Sequence, residues 1–230
     1  MAERSRWRIA LKVETLTGFH TLGPGRTLPF LDRPLQVDTL GRPFIPGSLI
    51  RGRVRAHLER LLKARGEPVC RPPIPQNMCP HNQEVAQKLA ARGEPYCLAC
   101  RIFGSAWRES GVVFSDFHLD DESQESSTRT GVGISRRLGT VQAERLFFSE
   151  TAPSGLRFTG KAEGWLSREE AGWLVAALKL ITHLGGDKSR GLGEVRFIPV
   201  DVKRWDAKEG KWVNESPQDL LEEVIGDAED

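Results

Sequence analysis

The sequence has no long hydrophobic run. Among its 230 residues, no apolar stretch approaches the roughly 20 residues that a membrane helix needs. The first residues, MAERSRWRIALKVE, carry charges where a secretory signal peptide would have its apolar part. We therefore expect a cytoplasmic protein without a membrane partner. Because 39% of the residues are hydrophobic, the chain can bury a core, and its length favours one domain with insertions over two equal domains.

Lysine and arginine are absent from the end of the chain, residues 214–230, which contain seven acidic side chains. The whole chain has 33 basic and 31 acidic residues, so residues 1–213 have 33 against 24, a net charge of +9. A basic body of this kind suits a polyanionic partner. The acidic tail is either a solvated helix or a docking segment for a neighbouring subunit. We therefore divide the chain into a single domain, residues 1–213, and a tail.

Hydrophobic periodicity predicts an α+β fold. Alternating apolar residues indicate strands at residues 7–14, 111–119, 156–163 and 194–201. A helical stripe begins at Ser48, its expected N-cap, and ends near Gly66. A second helix begins at a capping box of Ser167 and Glu170 and ends at Gly185. The order β, α, β, β, α, β is that of the ferredoxin-like fold, which RNA-recognition domains share, although the order alone does not fix a function.

A glycine-rich, basic segment, LGGDKSRGLG at residues 184–193, lies between the second helix and the last strand. Glycines let a backbone approach phosphate, while lysine and arginine neutralise its charge and serine donates a hydrogen bond. Because a strand follows and the order of a Walker loop is missing, nucleotide hydrolysis is disfavoured. The alternative is an ordinary helix cap and turn, which does not explain four glycines with two cations. We expect phosphate contacts from Gly185, Gly186, Lys188, Ser189, Arg190 and Gly191.

An insertion at residues 66–101 contains all four cysteines of the chain: Cys70, Cys79, Cys97 and Cys100. A cytoplasmic protein rarely keeps stable disulfides, and the spacing of the last two cysteines is that of half a tetrahedral zinc site. The first two cysteines can complete the site, or His81 can replace one of them. Four thiolates would close the site, and the insertion has few apolar residues to form its own core. We therefore expect a structural zinc ion rather than a catalytic one.

Three segments together resemble the repeat-associated mysterious protein (RAMP) superfamily. PFIPGSLIRG at residues 43–52 is similar to the family's segment IPGSSLKG before its first helix, and CLACRIFGS at residues 97–105 is similar to CxxCxLFG. The glycine-rich loop follows the second helix as it does in the family. The resemblance implies an RNA-binding subunit of a CRISPR effector complex. On the basic first helix we expect RNA contacts from Ser48, Arg51 and Arg55, with an ordinary solvated helix face as the alternative.

A fourth segment, RTGVGISRRLGTVQ at residues 129–142, resembles a stretch of the repeating backbone subunits of type III CRISPR complexes, with Ser135 where aspartate is usual. The resemblance implies that residues 120–150 form a thumb, a protruding β-hairpin that inserts between guide and target RNA and splays nucleotides at regular intervals. For the polar residues 120–128 the alternative is a disordered excursion at the surface. The arginines expected to meet phosphates are Arg129, Arg136 and Arg137.

The segment FLDRPLQVD at residues 30–38 resembles the cleavage segment I-D-x-P-V-x-x-D of target-cleaving backbone subunits. The resemblance implies that Asp32 helps to cut target RNA, as a base that deprotonates a 2′-hydroxyl or as a ligand of Mg²⁺ or Mn²⁺. Either route leaves 2′,3′-cyclic phosphate and 5′-hydroxyl ends. The alternative is that Asp32 and Asp38 are turn residues beside Pro34. His20 is a candidate acid near Asp32, but a lone loop histidine is more often a surface residue.

By this resemblance, we expect a guide-RNA-binding backbone subunit of a type III CRISPR complex that cleaves complementary target RNA at regular intervals. Its expected partners are guide RNA, target RNA, further backbone subunits stacked in a filament, a large polymerase- or cyclase-like subunit and small subunits. The alternative is a scaffold subunit that binds guide RNA without cutting. A third interpretation is a processing enzyme that acts on precursor guide RNA through His20 or His57. Such enzymes generally carry two ferredoxin-like domains, and this chain is expected to have one.

Overall fold

A computed structural model describes residues 3–22, 30–120 and 125–226. Its strands are β1 (Ser5–Thr15), β2 (Phe44–Ile45), β3 (Val112–Phe114), β4 (Phe117–Leu119), β5 (Ser127–Ile134), β6 (Val141–Thr151), β7 (Arg157–Leu166), β8 (Val195–Asp206) and β9 (Lys211–Asn214). Its helices are α1 (Gly47–Ala64), α2 (Gln83–Ala90), α3 (Leu98–Phe103), α4 (Arg168–Lys179) and α5 (Pro217–Ile225). None of these helices is long and apolar enough to cross a membrane.

Strand β1 lies in an antiparallel sheet of seven strands with the order β2-β4-β7-β1-β8-β9, in which β3 also pairs with β7. Strands β5 and β6 form a separate two-stranded hairpin. The strands predicted at residues 7–14 and 156–163 are confirmed as β1 and β7, and the predicted last strand is longer and continues into β9. The side chains of β1 that face the core alternate with more exposed ones and are Trp7, Ile9, Leu11 and Val13. The chain therefore has the predicted α+β class.

Helices α1 and α4 pack against each other and against the sheet. The buried stripe of α1, at the spacing of one helix face, consists of Ile50, Val54, Leu58 and Leu62, as predicted. In α4, by contrast, all residues from 170 to 178 are buried. This burial on every side arises because α5 packs on α4 as well.

The start of α1 differs from the prediction. Pro46 rather than Ser48 is the N-cap residue, and Ser48 is exposed in the first turn. The carboxylate of Asp116 instead accepts a hydrogen bond from the amide of Gly47 at 2.8 Å. Gly47 also lies so close to the last residue of β3 that a Cβ atom would be 2.5 Å from its carbonyl oxygen. Because the chain bends here to meet α1, the strand predicted at residues 111–119 is interrupted and forms β3 and β4.

Helix α4 ends at Lys179 and not at Gly185 as predicted. After the helix, the chain pairs with the segment that leads into β8, where the amide of Leu184 donates to the carbonyl oxygen of Gly193 at 2.8 Å. If the helix continued, this amide would instead donate to the carbonyl oxygen four residues earlier in the same helix. The pairing therefore ends the helix early and makes residues 184–193 a closed loop.

The described part of the acidic tail belongs to the domain. Helix α5 buries Leu220 and Val224 against α4. In α4, Gly172 lies so close that a Cβ atom would be 2.6 Å from the carbonyl oxygen of Leu220. Arg65, just after α1, donates to the carbonyl oxygen of Val224 at 2.7 Å. A fully solvated helix is therefore the wrong interpretation for α5, and the tail residues 227–230 lie outside the described residues.

The buried carboxylate of Glu170 joins three separate parts of the chain. One oxygen accepts from the amide of Ser167 at 2.9 Å, which completes the predicted capping box. The other accepts from Arg4 at 2.7 Å and from Arg101, next to the last cysteine, at 2.8 Å. Burial opposes ionisation, but the Ser167 amide and the two guanidinium groups outweigh it and lower the pKa of Glu170. Ionised Glu170 therefore holds the first residues and the cysteine segment to the start of α4.

Replacing Glu170 with glutamine should destabilise the protein by about 3 kcal/mol at neutral pH, because Arg4 and Arg101 would lose the buried carboxylate that they share, and Arg101 would keep only its longer contacts to Glu94 and Glu169. The folded-state pKa of Glu170 is lowered. Its stabilisation is therefore present above the pKa of the unfolded chain and is lost as the pH falls through the folded value. Urea unfolding at a series of acidic pH values should show that the free energies of unfolding of the unchanged protein and the Glu170 variant converge as the pH falls. Glu222→Gln, at an exposed carboxylate of α5 without an ion pair among the described residues, is the control. A stability difference between the unchanged protein and the Glu170 variant that does not vary with pH would contradict this role.

Candidate functional site

The segment that contains Asp32 lies along strand β6. The amides of Asp32 and Arg33 both donate to the carbonyl oxygen of Phe148 at 3.1 Å, and the amide of Glu150 donates to the carbonyl oxygen of Arg33 at 2.9 Å. The amide of Phe148 donates to the Asp32 carboxylate at 2.7 Å. Asp32 itself is exposed. Backbone pairing thus fixes an exposed carboxylate beside the β5-β6 hairpin.

Asp38 has a different environment from Asp32. Its carboxylate accepts from the amides of Leu40 and Arg42, both at 2.9 Å, and from the Arg42 guanidinium at 3.0 Å. The hydrogen bond from the Arg42 amide, helped by the other two, lowers the pKa of Asp38. The interpretation as a turn residue therefore fits Asp38, whereas Asp32 is bound to a strand.

The glycine-rich loop meets the Asp32 segment over the ring of Phe147 on β6. The guanidinium carbon of Arg33 is 5.0 Å from the centre of this ring and that of Arg190 is 5.9 Å from it. Asp187 joins the two arginines, because it accepts from Arg190 at 2.9 Å and lies 3.6 Å from Arg33. Across the hairpin, Gly131 leaves the room that the ring occupies, since a Cβ atom there would overlap the ring. Three segments far apart in sequence are therefore in contact here.

A pocket of about 180 Å³ opens where the hairpin and the glycine-rich loop meet. Arg129 and Arg190 line it together with the ring of Phe147. Ser149 also lines the pocket, but its hydroxyl oxygen is buried and has no hydrogen-bond partner among the described residues. A ligand in the pocket would meet the two guanidinium groups and the ring rather than this oxygen. The pocket therefore suits a ligand that carries negative charge.

Residues 18–21 connect the hairpin, the glycine-rich loop and the Asp32 segment through their backbone. Phe19 exchanges two hydrogen bonds with Ala152, just after β6, at 2.9 and 2.8 Å. The neighbouring carbonyl oxygens accept from the loop and from the Asp32 segment at 2.8–2.9 Å, in the pairs Gly18 with Gly193, His20 with Gly186 and Thr21 with Gln36. The position of the loop relative to Asp32 is therefore set by main-chain contacts.

Two glycines of the loop serve this close packing. Gly185 has a φ of +77° and lies against the carbonyl oxygen of His20, and Gly193 has a φ of +76° and lies against that of Leu184. A Cβ atom at either position would overlap the oxygen. The rest of the loop is open, and the amides without an acceptor among the described residues are those of Asp187, Lys188 and Ser189. These amides and the side chains of Lys188 and Arg190 form the part of the loop that can meet an anion.

His20 is buried, so the expectation of a surface histidine is wrong. Its Nδ1 lies 2.7 Å from the carbonyl oxygen of Glu150, which ties it to β6. His57 lies on α1, and partial burial and two neighbouring arginines lower its pKa. Within the described residues, no contact joins either histidine to Asp32. The structure therefore brings Asp32 together with arginines and amides rather than with a histidine acid.

The arginines of α1 bind the cysteine segment. Arg51 donates to the carbonyl oxygen of Phe103, and Arg55 donates to that of Gly104 at 3.2 Å and to Glu59 at 2.9 Å. These contacts hold α1 against α3. An RNA contact at this helix would have to use the remaining N–H groups of the two side chains.

The tip of the β5-β6 hairpin presents Arg136 and Arg137, both exposed. The Ser135 hydroxyl accepts a hydrogen bond from the amide of Leu138 at 3.3 Å. The carbonyl oxygen of Ser135 accepts one from the amide of Gly139 at 2.8 Å. Ser135 thus performs the turn-forming function that an aspartate would have. The hairpin also exposes apolar side chains, namely Val132, Ile134, Leu138, Val141 and Leu146.

The four cysteines lie at one buried place, with all their sulfur atoms within 4.8 Å of one another. The Sγ atoms of Cys70 and Cys100 are 3.3 Å apart and those of Cys70 and Cys97 are 3.8 Å apart. These distances exclude a disulfide of about 2.05 Å. Hydrogen bonds from Cys100, Cys70 and Cys79 lower the pKa of the Cys97 thiol, whereas the neighbouring thiols and burial raise the pKa of Cys100. His81 packs against Trp107 and not in this cluster, so the four thiols themselves could hold a metal ion.

Comparison with known proteins identifies the family. The sequence model of the RAMP superfamily matches residues 12–196. A protein of Methanocaldococcus jannaschii named CRISPR system Cms endoribonuclease Csm3 is 27% identical over 211 residues, which cover 83% of this chain and 77% of the relative. A protein of the same name from Enterococcus italicus is 28% identical over 218 residues, which cover 84% of this chain and 90% of the relative. The chain therefore belongs to the RAMP superfamily.

Proposed function

We propose that this chain is a guide-RNA-binding backbone subunit of a type III CRISPR complex that cleaves complementary target RNA. The observation that carries the proposal is the place of Asp32, an exposed carboxylate fixed on β6 next to Arg33, which shares Asp187 with Arg190 of the glycine-rich loop. The family match agrees with it, and both relatives are named CRISPR endoribonucleases.

The core is proposed to be ferredoxin-like. Strands β1, β4, β7 and β8 with helices α1 and α4 follow the order β, α, β, β, α, β, and their arrangement in the sheet is β4-β7-β1-β8. The insertion at residues 66–101 and the β5-β6 hairpin are then additions to this core, as the division of the chain into one domain with a short tail requires. The packing of α5 on α4 supports counting residues 217–225 with the domain.

The glycine-rich loop is the proposed binding site for the guide backbone. Lys188 and Arg190 supply positive charge, and the amides of Lys188 and Ser189 have no acceptor among the described residues. The opposite wall of the pocket carries Arg129. A phosphate that enters would compete with Asp187 for Arg190. Such contacts would recognise the charge and the shape of the RNA backbone and would not depend on the identity of the bases.

Lys188→Ala combined with Arg190→Ala should weaken guide-RNA binding and reduce its salt dependence, because each lost phosphate contact lowers the slope of log affinity against log salt by about one. Fluorescence anisotropy over a salt series measures both quantities. Lys179→Ala, an exposed lysine at the end of α4, is the matched control and should leave the slope unchanged. An unchanged slope in the double variant would place the guide elsewhere.

The β5-β6 hairpin is the proposed thumb. Its exposed apolar side chains can insert between bases, while Arg136 and Arg137 at its tip can meet phosphates on either side. Because the Asp32 segment is bound to β6 of this hairpin, a nucleotide displaced by the thumb would lie next to the carboxylate.

The proposed reaction is attack of a ribose 2′-oxygen on the adjacent phosphate. The bond between this oxygen and phosphorus forms, the bond from phosphorus to the 5′-oxygen breaks, and the leaving oxygen takes a proton. The products are a 2′,3′-cyclic phosphate and a 5′-hydroxyl. Asp32 takes the proton of the 2′-hydroxyl, and Arg33 lies beside it to offset the charge of the phosphate. In the alternative route, Asp32 would not act as the base but would hold Mg²⁺ or Mn²⁺, which typically binds one or two carboxylates plus substrate phosphates and would polarise the phosphate.

Asp32→Asn should reduce target cleavage by an assembled complex about a hundredfold or more, since a general base contributes on that order. The amide oxygen of asparagine can still accept from Phe148, so the segment should stay on β6. Single-turnover cleavage of matched RNA measures the effect, and the amount of copurified guide RNA shows that assembly is intact. Asp38→Asn is the control and should leave cleavage unchanged. Full cleavage by the Asp32 variant would remove the role assigned to Asp32.

A scaffold subunit that binds guide RNA without cutting is the second candidate. The observation that favours it is the hydrogen bond from Phe148 to Asp32, which gives the carboxylate a structural use of its own. A processing enzyme is less well supported, because His20 is buried and bonded to β6. Incubation of the isolated protein with precursor RNA separates that third candidate, since only a processing enzyme should cut without assembly.

Assembly of the proposed complex would place this chain among several partners. We infer that copies of the chain stack along the guide in a filament, with a large polymerase- or cyclase-like subunit and small subunits beside them. Target RNA pairs with the guide and passes the Asp32 segment of successive copies. Cleavage at regular intervals then follows from the regular spacing of the copies.

The cysteine cluster is the proposed site of a structural zinc ion. Zinc holds sulfur at about 2.3 Å in a tetrahedron, which requires sulfur atoms about 3.8 Å apart. The observed separations of 3.3 and 3.8 Å and the limit of 4.8 Å are close to this requirement. Four thiols leave no open position for a substrate, so the ion would stabilise the insertion.

The purified protein should contain about one zinc ion per chain by elemental analysis, and Cys97→Ser should release it. The variant should also unfold at a lower temperature, because metal binding is coupled to the folding of the insertion. His81→Ala is the control and should keep both the metal and the stability. Retention of full metal content by the Cys97 variant would contradict a site built from four thiols.

A further inference from the structure

A row of aromatic and basic side chains crosses the sheet near the start of β1. Trp165 on β7 pairs with Arg6 on β1. The register of β1 with β8 places Trp205 beside Arg6, and Trp205 pairs with Trp212 on β9. We call these four residues the indole row. It spans four neighbouring strands, so its width is about 14 Å at the usual strand spacing.

The indole row lies far from Asp32. Arg6 is near the beginning of β1, whereas residues 18–21, which hold the Asp32 segment and the glycine-rich loop, follow its end at Thr15. The nine steps from Arg6 to Thr15 cover roughly 30 Å in a strand. A ligand on the indole row therefore cannot be the nucleotide that contacts Asp32.

Trp165 is exposed, whereas Trp205 and Trp212 are half-buried and meet edge to face. Trp165 is 58% exposed. The guanidinium carbons of Arg6 and Arg8 lie 5.7 and 4.7 Å from the ring centre of Trp212, and the rings of Trp205 and Trp212 are 5.5 Å apart. The contacts of Trp212 stabilise the sheet, whereas Trp165 makes no ring contact among the described residues. The grouping of these indoles with arginines indicates a binding surface.

The cavity beside the row is strongly basic. It has a volume of about 490 Å³, which is in the range of small-molecule sites. Five cations line it against two acidic residues, Glu3 and Asp206: Arg4, Arg6, Arg168, Arg204 and Lys208. Four of the five cations already have a carboxylate partner, namely Arg4 with Glu170, Arg6 with Glu163, and both Arg168 and Arg204 with Glu215. Among the described residues, Lys208 has no ion-pair partner. The cavity therefore has room and charge for an anionic ligand next to a flat apolar surface.

We propose that the indole row binds single-stranded RNA by base stacking, as a second RNA contact of this chain that is separate from the Asp32 site. Single-stranded RNA offers planar bases to Trp165 and Trp205 and phosphates to Arg6 and Lys208, which matches the alternation of rings and cations. Tryptophan and arginine are common at protein interfaces as well, but lysine is depleted there, so Lys208 in the lining favours RNA over a protein partner. The contact is independent of base identity, since every base has a face to stack.

The test measures binding of a short fluorescein-labelled oligouridine to the full chain. Trp165→Ala should weaken binding about fivefold or more, the usual loss for one stacked base. Lys208→Ala should weaken it less and reduce the salt dependence. Trp107→Ala removes an exposed tryptophan elsewhere and should have no effect. Photo-crosslinking of the oligonucleotide should label Trp165 or Trp205.

The same measurements in the Lys188→Ala, Arg190→Ala variant separate this proposal from the proposed guide site. Residual binding that still depends on Trp165 supports the indole row, whether or not the loop holds the guide. Binding that does not change with Trp165 in either background overturns the proposal. Sedimentation without RNA tests the alternative of a protein partner. If Trp165→Ala changes the self-association of the chain but leaves the oligouridine affinity unchanged, the proposal is overturned and the row belongs to a protein interface.

Discussion

The backbone of residues 18–21 determines the arrangement of the candidate site. Its carbonyl and amide groups pair with Ala152 after β6, with Gly186 and Gly193 of the glycine-rich loop and with Gln36 in the Asp32 segment. No side chain chemistry is needed for these contacts, so their geometry does not depend on ionisation. Because hydrogen bonds of this kind are directional, three segments from distant parts of the sequence keep fixed positions relative to one another. The backbone hydrogen bonds therefore set the positions of the charged side chains.

The sequence predicted the strands and helices of the core but not their ends, and it did not predict the short elements β2, α2, α3 and β9. The alternation from Trp7 to Val13 and the stripe of α1 follow directly from burial of one face. The capping box of Ser167 and Glu170 is local and was also predictable. The N-cap of α1 was not, because Asp116 reaches it from a distant turn. The early end of α4 depends on pairing with the segment before β8, which helical periodicity does not reveal.

In the candidate site, too, some residues could be predicted from the sequence and others could not. Asp32, the loop cations and the four cysteines could be named from residue type, spacing and family resemblance, and the structure brings the four sulfur atoms together. Phe147 and Asp187 were not predicted, because they acquire a role only when the hairpin folds against the loop. The family itself is confirmed by the match over residues 12–196. Two of the four loop glycines serve close packing, which a motif alone cannot distinguish from ligand binding.

The ion pair between Asp187 and Arg190 gives the loop a counterion of its own. Asp187 is held in the left-handed region at a φ of 49°, and it also attracts Arg33. An anion that binds Arg190 therefore gains only the difference between its own attraction and that of a carboxylate already in place. A singly charged ion gains little, while a continuous chain of phosphates can engage several cations at once. If the loop binds phosphates as proposed, it would discriminate between ligands by the number of charges they present, and without a ligand its cations are partly neutralised by Asp187.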